Sequence, residues 1–151
     1  LVGRYFGRAY KHIAIDKVTP PWINPISATC SEQKIIVSYE VPKPPLVIDY
    51  QNLAVTTNAG FCVVDANGEV EIAEIKIGVT GTQVEIDLSR GLVGQAQLRY
   101  AFDHLGEGLI NYAISASGNL RDSEPETTIV LGKEYKLFNV APHHKLEIIK
   151  L

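Results

Sequence analysis

The strongest constraint in this sequence is the shortness of its alternating apolar runs and the regularity with which turn residues break them. "QAQLRYAF" sets Ala96, Leu98, Tyr100 and Phe102 on one side of an extended chain and Gln95, Gln97, Arg99 and Ala101 on the other. "IIVSYEV" does the same with Ile35, Val37, Tyr39 and Val41. "GFCVVD" and "EVEIAEIKI" flank "DANG", whose Asn67-Gly68 pair favours a tight hairpin turn with positive φ. In the second of these runs the apolar phase changes from Val70 and Ile72 to Ile75 and Ile77, so a bulge is expected near Ala73. With "TQVEIDL", "LINYAIS", "TTIVL", "YKLF" and "KLEIIK" there are about nine or ten short strands, with a turn signal every 8–12 residues. That spacing predicts an all-β fold, an antiparallel β-sandwich of jelly-roll type.

The amino-terminal end breaks the pattern. Over residues 1–13, Val2, Tyr5, Phe6, Ala9, Tyr10 and Ile13 recur at helical spacing, with Arg4, Arg8 and Lys11 opposite. This predicts one amphipathic helix packed on the outside of the sandwich. It has no capping residue before Val2, and Gly3 and Gly7 weaken it. "VTPPWINPIS", residues 18–27, reads as a linker held extended by Pro20, Pro21 and Pro25. Trp22 inside it is expected to pack on a neighbouring surface. Pro42, Pro44 and Pro45 confine the stretch after Val41 to a sheet edge or a crossover.

Composition removes several function classes. A chain of 151 residues buries roughly 70% of its unfolded surface, sufficient for one core. A net charge of −3 argues against a nucleic-acid partner, which needs a basic stripe. No window approaches the length of a membrane span. No phosphate loop, zinc spacing or nucleophile elbow is present, so neither cofactor nor metal is expected. Cys30 and Cys62 lie in or beside apolar runs and read as two buried thiols, although one disulfide would also satisfy their number. His143 and His144, after Pro142, read as a surface pair at a turn. Asp103, His104 and Ser123 do not make a catalytic set, because adjacent residues of an extended chain point to opposite faces.

"SGNLRDSEPETT", residues 117–128, is the least generic stretch. Gly118 and Asn119 tolerate a left-handed turn, and Arg121 and Asp122 can pair or anchor neighbouring backbone. Two readings stay open. The stretch braces a loop, or it presents Asn119, Arg121 and Asp122 to a polyhydroxylated ligand, with Tyr112 or His104 lining the wall. Arg99, on the polar face of "QAQLRYAF", is a second candidate to receive a ligand carboxylate in a two-pronged hydrogen bond.

Taken in order, "RYFGRAYKH", "PPLVID", "GFCVVDANGEVEIAEIKI", "LRYAF" and "GNLRDSEP" resemble the carboxy-terminal part of SGNH-type carbohydrate acetylesterases, above all the sialate O-acetylesterases of bacteria and prophages. The resemblance implies an α/β esterase domain closed by one helix, then a proline-rich linker and an all-β accessory domain. Residues 1–17 would then be the remnant of the closing helix, 18–27 the linker and 28–151 the accessory domain. The esterase nucleophile, oxyanion-hole residues and Asp-x-x-His motif would all precede Leu1. "FDHLGEG" does not match that motif, since Asp103 and His104 are adjacent. A non-catalytic accessory module is therefore expected. It would be either a lectin-like module that holds a glycan, with sialic acid the ligand the resemblance implies, or a structural or oligomerisation domain that stabilises the esterase. A large apolar patch around Trp22 and the helix would favour the second.

Overall fold

A computed structural model describes residues 2–102 and 118–151. The chain is all-β with one amino-terminal helix. That helix, α1 (Val2–Tyr10), widens into a π-helical turn over Lys11–Asp16 and stops at Lys17, whose φ of 58° is left-handed. The strands are β1 (Asn24–Ser31), β2 (Lys34–Glu40), β3 (Val47–Ile48), β4 (Phe61–Asp65), β5 (Gly68–Val70), β6 (Ile72–Ile77), β7 (Gln83–Leu88), β8 (Gln97–Tyr100), β9 (Leu120–Arg121), β10 (Thr127–Val130), β11 (Lys133–Lys136) and β12 (His144–Lys150).

Eight strands form one sheet in the order β5-β4-β8-β12-β1-β2-β7-β6, while β3 pairs with β9 and β10 with β11. All pairs are antiparallel except β1 with β12, where Ala28–Cys30 runs parallel to Ile148–Lys150. This parallel seam divides the sheet into two four-stranded halves. Among the eight strands, one half runs first-second-sixth-fifth in chain order, and the other eighth-seventh-third-fourth. That is the strand order of immunoglobulin-type sandwiches, a finer property than alternation can reveal; a jelly roll threads the same class differently.

The inward faces of both halves share one core. Ile35, Val37 and Tyr39 of β2, Val84 and Ile86 of β7, Phe61 and Val63 of β4, and Leu98 and Tyr100 of β8 are all buried in it. Each is one member of a strict alternation, so the period of two that defines the strands also fills the core. The bulge falls where the phase change places it: register between β6 and β7 shifts between Ile72 and Glu74. In the β4–β5 hairpin Asp65 pairs with Gly68, whose φ of +103° is open to glycine at no steric cost. β1 begins inside the segment read as linker. Pro25 is tolerated there because the register with β2 shifts between Pro25 and Ser27.

One sequence reading is corrected. His143 and His144 are not a surface pair: His144 is buried in β12, stacked on Tyr100 with ring centroids 5.2 Å apart. Its Nδ1 lies 2.9 Å from the Pro142 carbonyl oxygen, which can only accept, so Nδ1 carries the hydrogen. Nε2 is left bare to accept from the Tyr39 hydroxyl at 3.1 Å. Burial, aided by the charge of His143, holds the His144 imidazole below its ordinary range against the favourable Pro142 contact. Burial also pushes the Tyr100 hydroxyl up to about 12.

These shifts make folding pH-dependent. As pH falls, the unfolded chain binds a proton at its histidine before the folded chain does. Stability from this site is therefore full above the ordinary value of 6.5 and declines below it. We expect thermal melts of the wild type to lose stability on acidification from about pH 7 to about pH 5, and His144→Gln to flatten that slope. An unchanged slope in the variant would refute the assignment.

Candidate functional site

The polar stretch read from the sequence lies at one end of the sandwich, where the β3–β9 pair closes. Asn119 is fully buried, and its amide ties its own segment to residues 49–56. Nδ2 donates to the carbonyl oxygens of Asp49 and Ala54, both at 3.0 Å, and Oδ1 accepts from the Thr56 N–H at 3.0 Å. The Leu120 N–H donates to the Tyr100 hydroxyl at 2.9 Å. Gly118 is required by space, since an added Cβ would lie 2.3 Å from the ring and hydroxyl of Tyr100.

Asp122 is likewise fully buried. Its Oδ2 accepts from Asn139 Nδ2 at 2.8 Å and from the Lys43 N–H at 3.2 Å, and its Oδ1 accepts from the Glu124 N–H at 3.0 Å. Asn139 Nδ2 also donates to the Pro21 carbonyl oxygen at 3.1 Å. Arg121 Nε donates to Asp49 Oδ2 at 2.6 Å and NH1 to the Asp122 carbonyl oxygen at 2.8 Å, while its guanidinium sits 4.7 Å from the Phe138 ring centroid. Burial alone would raise the Asp49 carboxyl. The N–H groups of Asn52 and Gln51, the Asn52 amide and Arg121 outweigh it and hold Asp49 well below the usual carboxylate range.

The sequence candidates therefore separate. Asn119, Arg121 and Asp122 are brought together, with polar atoms engaged within the protein, and two of the three have no exposed surface. Arg99 stands apart on the outward face of β8, its Nε donating to Gln97 Oε1 at 3.0 Å. His104 and Tyr112 lie outside the described residues. Three partners were missed by sequence reasoning: Asp49, Lys43 and Asn139. The signal for Asp49 was present in "DYQN", an Asp whose carboxylate caps the turn that follows it. Among the described residues no cluster of His, Cys, Asp and Glu has metal-binding geometry; Cys30 is a buried free thiol, whereas Cys62, expected to be buried, is only part-buried.

A second feature lies beside this network. α1 meets the body of the protein through its basic side. Arg8 NH1 reaches Glu126 Oε2 at 3.0 Å and the Leu137 carbonyl oxygen at 3.2 Å, and Arg4 NH2 reaches the Ile129 carbonyl oxygen at 3.4 Å. Much of the apolar side faces solvent: Phe6 is 73% exposed, Tyr10 66% and Ile13 56%, while Tyr5 and Ala9 are part-buried. This departs from the packing expected of an amphipathic helix. Between α1 and the β10–β11 hairpin a groove of about 790 Å³ remains, bordered by Trp22, which is 52% exposed. Trp22 is thus half-packed, and it does not seat in the core.

No family model matches the chain, and no curated protein does. Among solved structures, the chain is similar to one described as the N-terminal part of the bacterial S-layer protein SbsC, with 11% identity and a TM-score of 0.49. The match covers 84% of this chain and 23% of that one. No helix among the described residues is long and apolar enough to cross a membrane.

Two substitutions report on the network. Arg121→Ala removes a partner from a nearly buried carboxylate, and we expect a loss of about 2–3 kcal/mol, roughly 5–10 °C in Tm. A Tm within a degree of wild type would show that Arg121 does not brace the fold. Gly118→Ala forces a side chain into the Tyr100 ring and is expected to cost at least about 1–3 kcal/mol in a denaturant melt.

Proposed function

We propose that this chain is a non-catalytic β-sandwich accessory module, and that the apolar side of α1 is the surface by which it packs on a folded neighbour. The neighbour is the SGNH-type esterase domain that the sequence resemblance implies. One observation carries the reading: Phe6, Tyr10, Ile13 and Ile15 are all more than half exposed on one helical segment, while Arg8 of that segment is engaged with the sandwich. An isolated exposed Leu or Ile is ordinary on a protein surface, but a contiguous row rimmed by charge marks a contact surface. The spacing of Phe6, Tyr10 and Ile13, at i, i+4 and i+7, is the one by which a helix anchors in a groove of its partner.

The loop-centred glycan reading is weaker on the same ground. Asn119 and Asp122, offered as hydroxyl ligands, have no exposed surface. Arg99 remains on an outward strand face as the candidate of that set for a carboxylate.

The double substitution Phe6→Glu with Ile13→Glu tests the proposal. We expect the free chain to keep its Tm within roughly the 0.5 kcal/mol of an ordinary surface change. A separately produced SGNH-type sialate esterase domain is expected to sediment as a 1:1 complex with the wild type and alone with the variant. Self-association of the wild type, lost in the variant, would assign the face to a second copy; a collapse of Tm would show that the face is buried in the free chain. The isolated chain is also expected to leave p-nitrophenyl acetate unhydrolysed above buffer. Hydrolysis abolished by a point substitution would overturn the non-catalytic part.

A further inference from the structure

The groove on the other side of α1 carries a separate inference. One wall is aromatic and apolar, formed by Trp22 and Pro20. The same groove is lined by the basic Arg4, Arg8, Lys11 and Lys43, by the acidic Glu124 and Glu126, and by the hydroxyl-bearing Thr127 and Thr128. Arg4 makes one long contact, 3.4 Å to the Ile129 carbonyl oxygen, and among the described residues neither Arg4 nor Lys43 has a carboxylate partner. Arg8 is paired with Glu126, and Arg4 and Lys43 are the cations without a carboxylate partner among the described residues; they share the groove with Glu124, whose Oε1 already accepts the Glu126 N–H at 3.1 Å.

The walls are fixed relative to each other. The Asp122 carboxylate holds the Lys43 N–H at 3.2 Å and Asn139 Nδ2 at 2.8 Å, and Asn139 Nδ2 in turn holds the Pro21 carbonyl oxygen at 3.1 Å, next to Trp22. Two buried side chains therefore set the positions from which Lys43 and Trp22 project. A site fixed before binding loses less ordering entropy when it binds. Its volume of about 790 Å³ falls within the range of small-ligand pockets, roughly 300–1,000 Å³.

We propose that this groove binds an acidic saccharide. A pyranose presents an apolar C–H face, which suits the exposed Trp22 ring, and an edge of hydroxyls, which suits Thr127 and Thr128. A carboxylate on the ring is drawn to the cationic wall of Arg4 and Lys43. A flexible acidic peptide lacks the rigid apolar face, and a simple anion makes no use of the tryptophan. The inference is independent of the docking proposal, because α1 turns its opposite side to this groove.

Trp22 is the one tryptophan in the sequence, so intrinsic fluorescence reports this site directly. The 151-residue chain is titrated at low salt with D-glucuronate, D-glucose and acetate. We expect a saturable change with glucuronate, and binding weaker by at least roughly tenfold for the other two, the ordinary worth of one hydrogen bond to a charged group. Lys43→Gln is expected to weaken glucuronate by a similar factor with Tm unchanged, since among the described residues the Lys43 ammonium has no hydrogen bond or ion pair. No saturable change with glucuronate overturns the proposal. Equal binding of acetate would show a charge site with no use for the ring. Equal binding of glucose, or an unaffected Lys43→Gln variant, would remove the cations from recognition.

Discussion

The buried carboxamide of Asn119 is the contact on which the rest of this end of the molecule depends. A buried amide left without partners costs on the order of 1–3 kcal/mol, so its neighbours must supply them. Here three hydrogen bonds to main-chain atoms tie the segment after β3 to β9. The order then propagates outward. Leu120 is fixed to Tyr100, Asp122 to Asn139 and Lys43, and Arg121 to Asp49. The β10–β11 hairpin follows directly from this segment, and it is where Arg4 and Arg8 seat the helix. Both the groove and the exposed helix face therefore rest on one buried amide and its neighbours.

Aspartate is used the same way at three turns. Asp49, Asp65 and Asp122 are all buried, and each accepts the N–H two residues on, from Gln51, Asn67 and Glu124. Asp65 also receives Arg90 at 2.6 and 3.1 Å, bridging the β4–β5 turn to the loop after β7. A carboxylate that caps a turn and pairs with an arginine satisfies its own burial and fixes a loop at once. These residues form a polar framework around the core.

The helix is stabilised unlike an ordinary surface helix. Arginine contacts, some of them partly exposed, link it to the body, and contacts of that kind contribute little singly. Phe6, Tyr10 and Ile13, which would normally supply the energy, are in solvent. α1 is accordingly the element whose stability should respond most to a partner. Its two sides support two different proposals: packing on a folded domain, and one wall of a saccharide groove.

Period and turn chemistry alone made the strands legible. Alternation in "IIVSYEV", "TQVEIDL" and "QAQLRYAF" identified the buried face residue by residue, and the phase change at Ala73 located the bulge, because side-chain direction in a strand is fixed by position in the chain. The helix at the amino terminus was equally readable from its spacing. What the sequence left open was every choice between two faces or two distant partners. It did not show that β1 would run parallel to β12, that α1 would turn its basic side inward, or that His144 would be buried against Tyr39. Nor did it decide between brace and ligand for Asn119 and Asp122. Those outcomes depend on contacts between residues far apart in the chain, such as Asp49 with Arg121 and Asp122 with Asn139 and Lys43. Local pattern carries no term for such contacts; only the closed fold decides which polar groups lose water and must find each other.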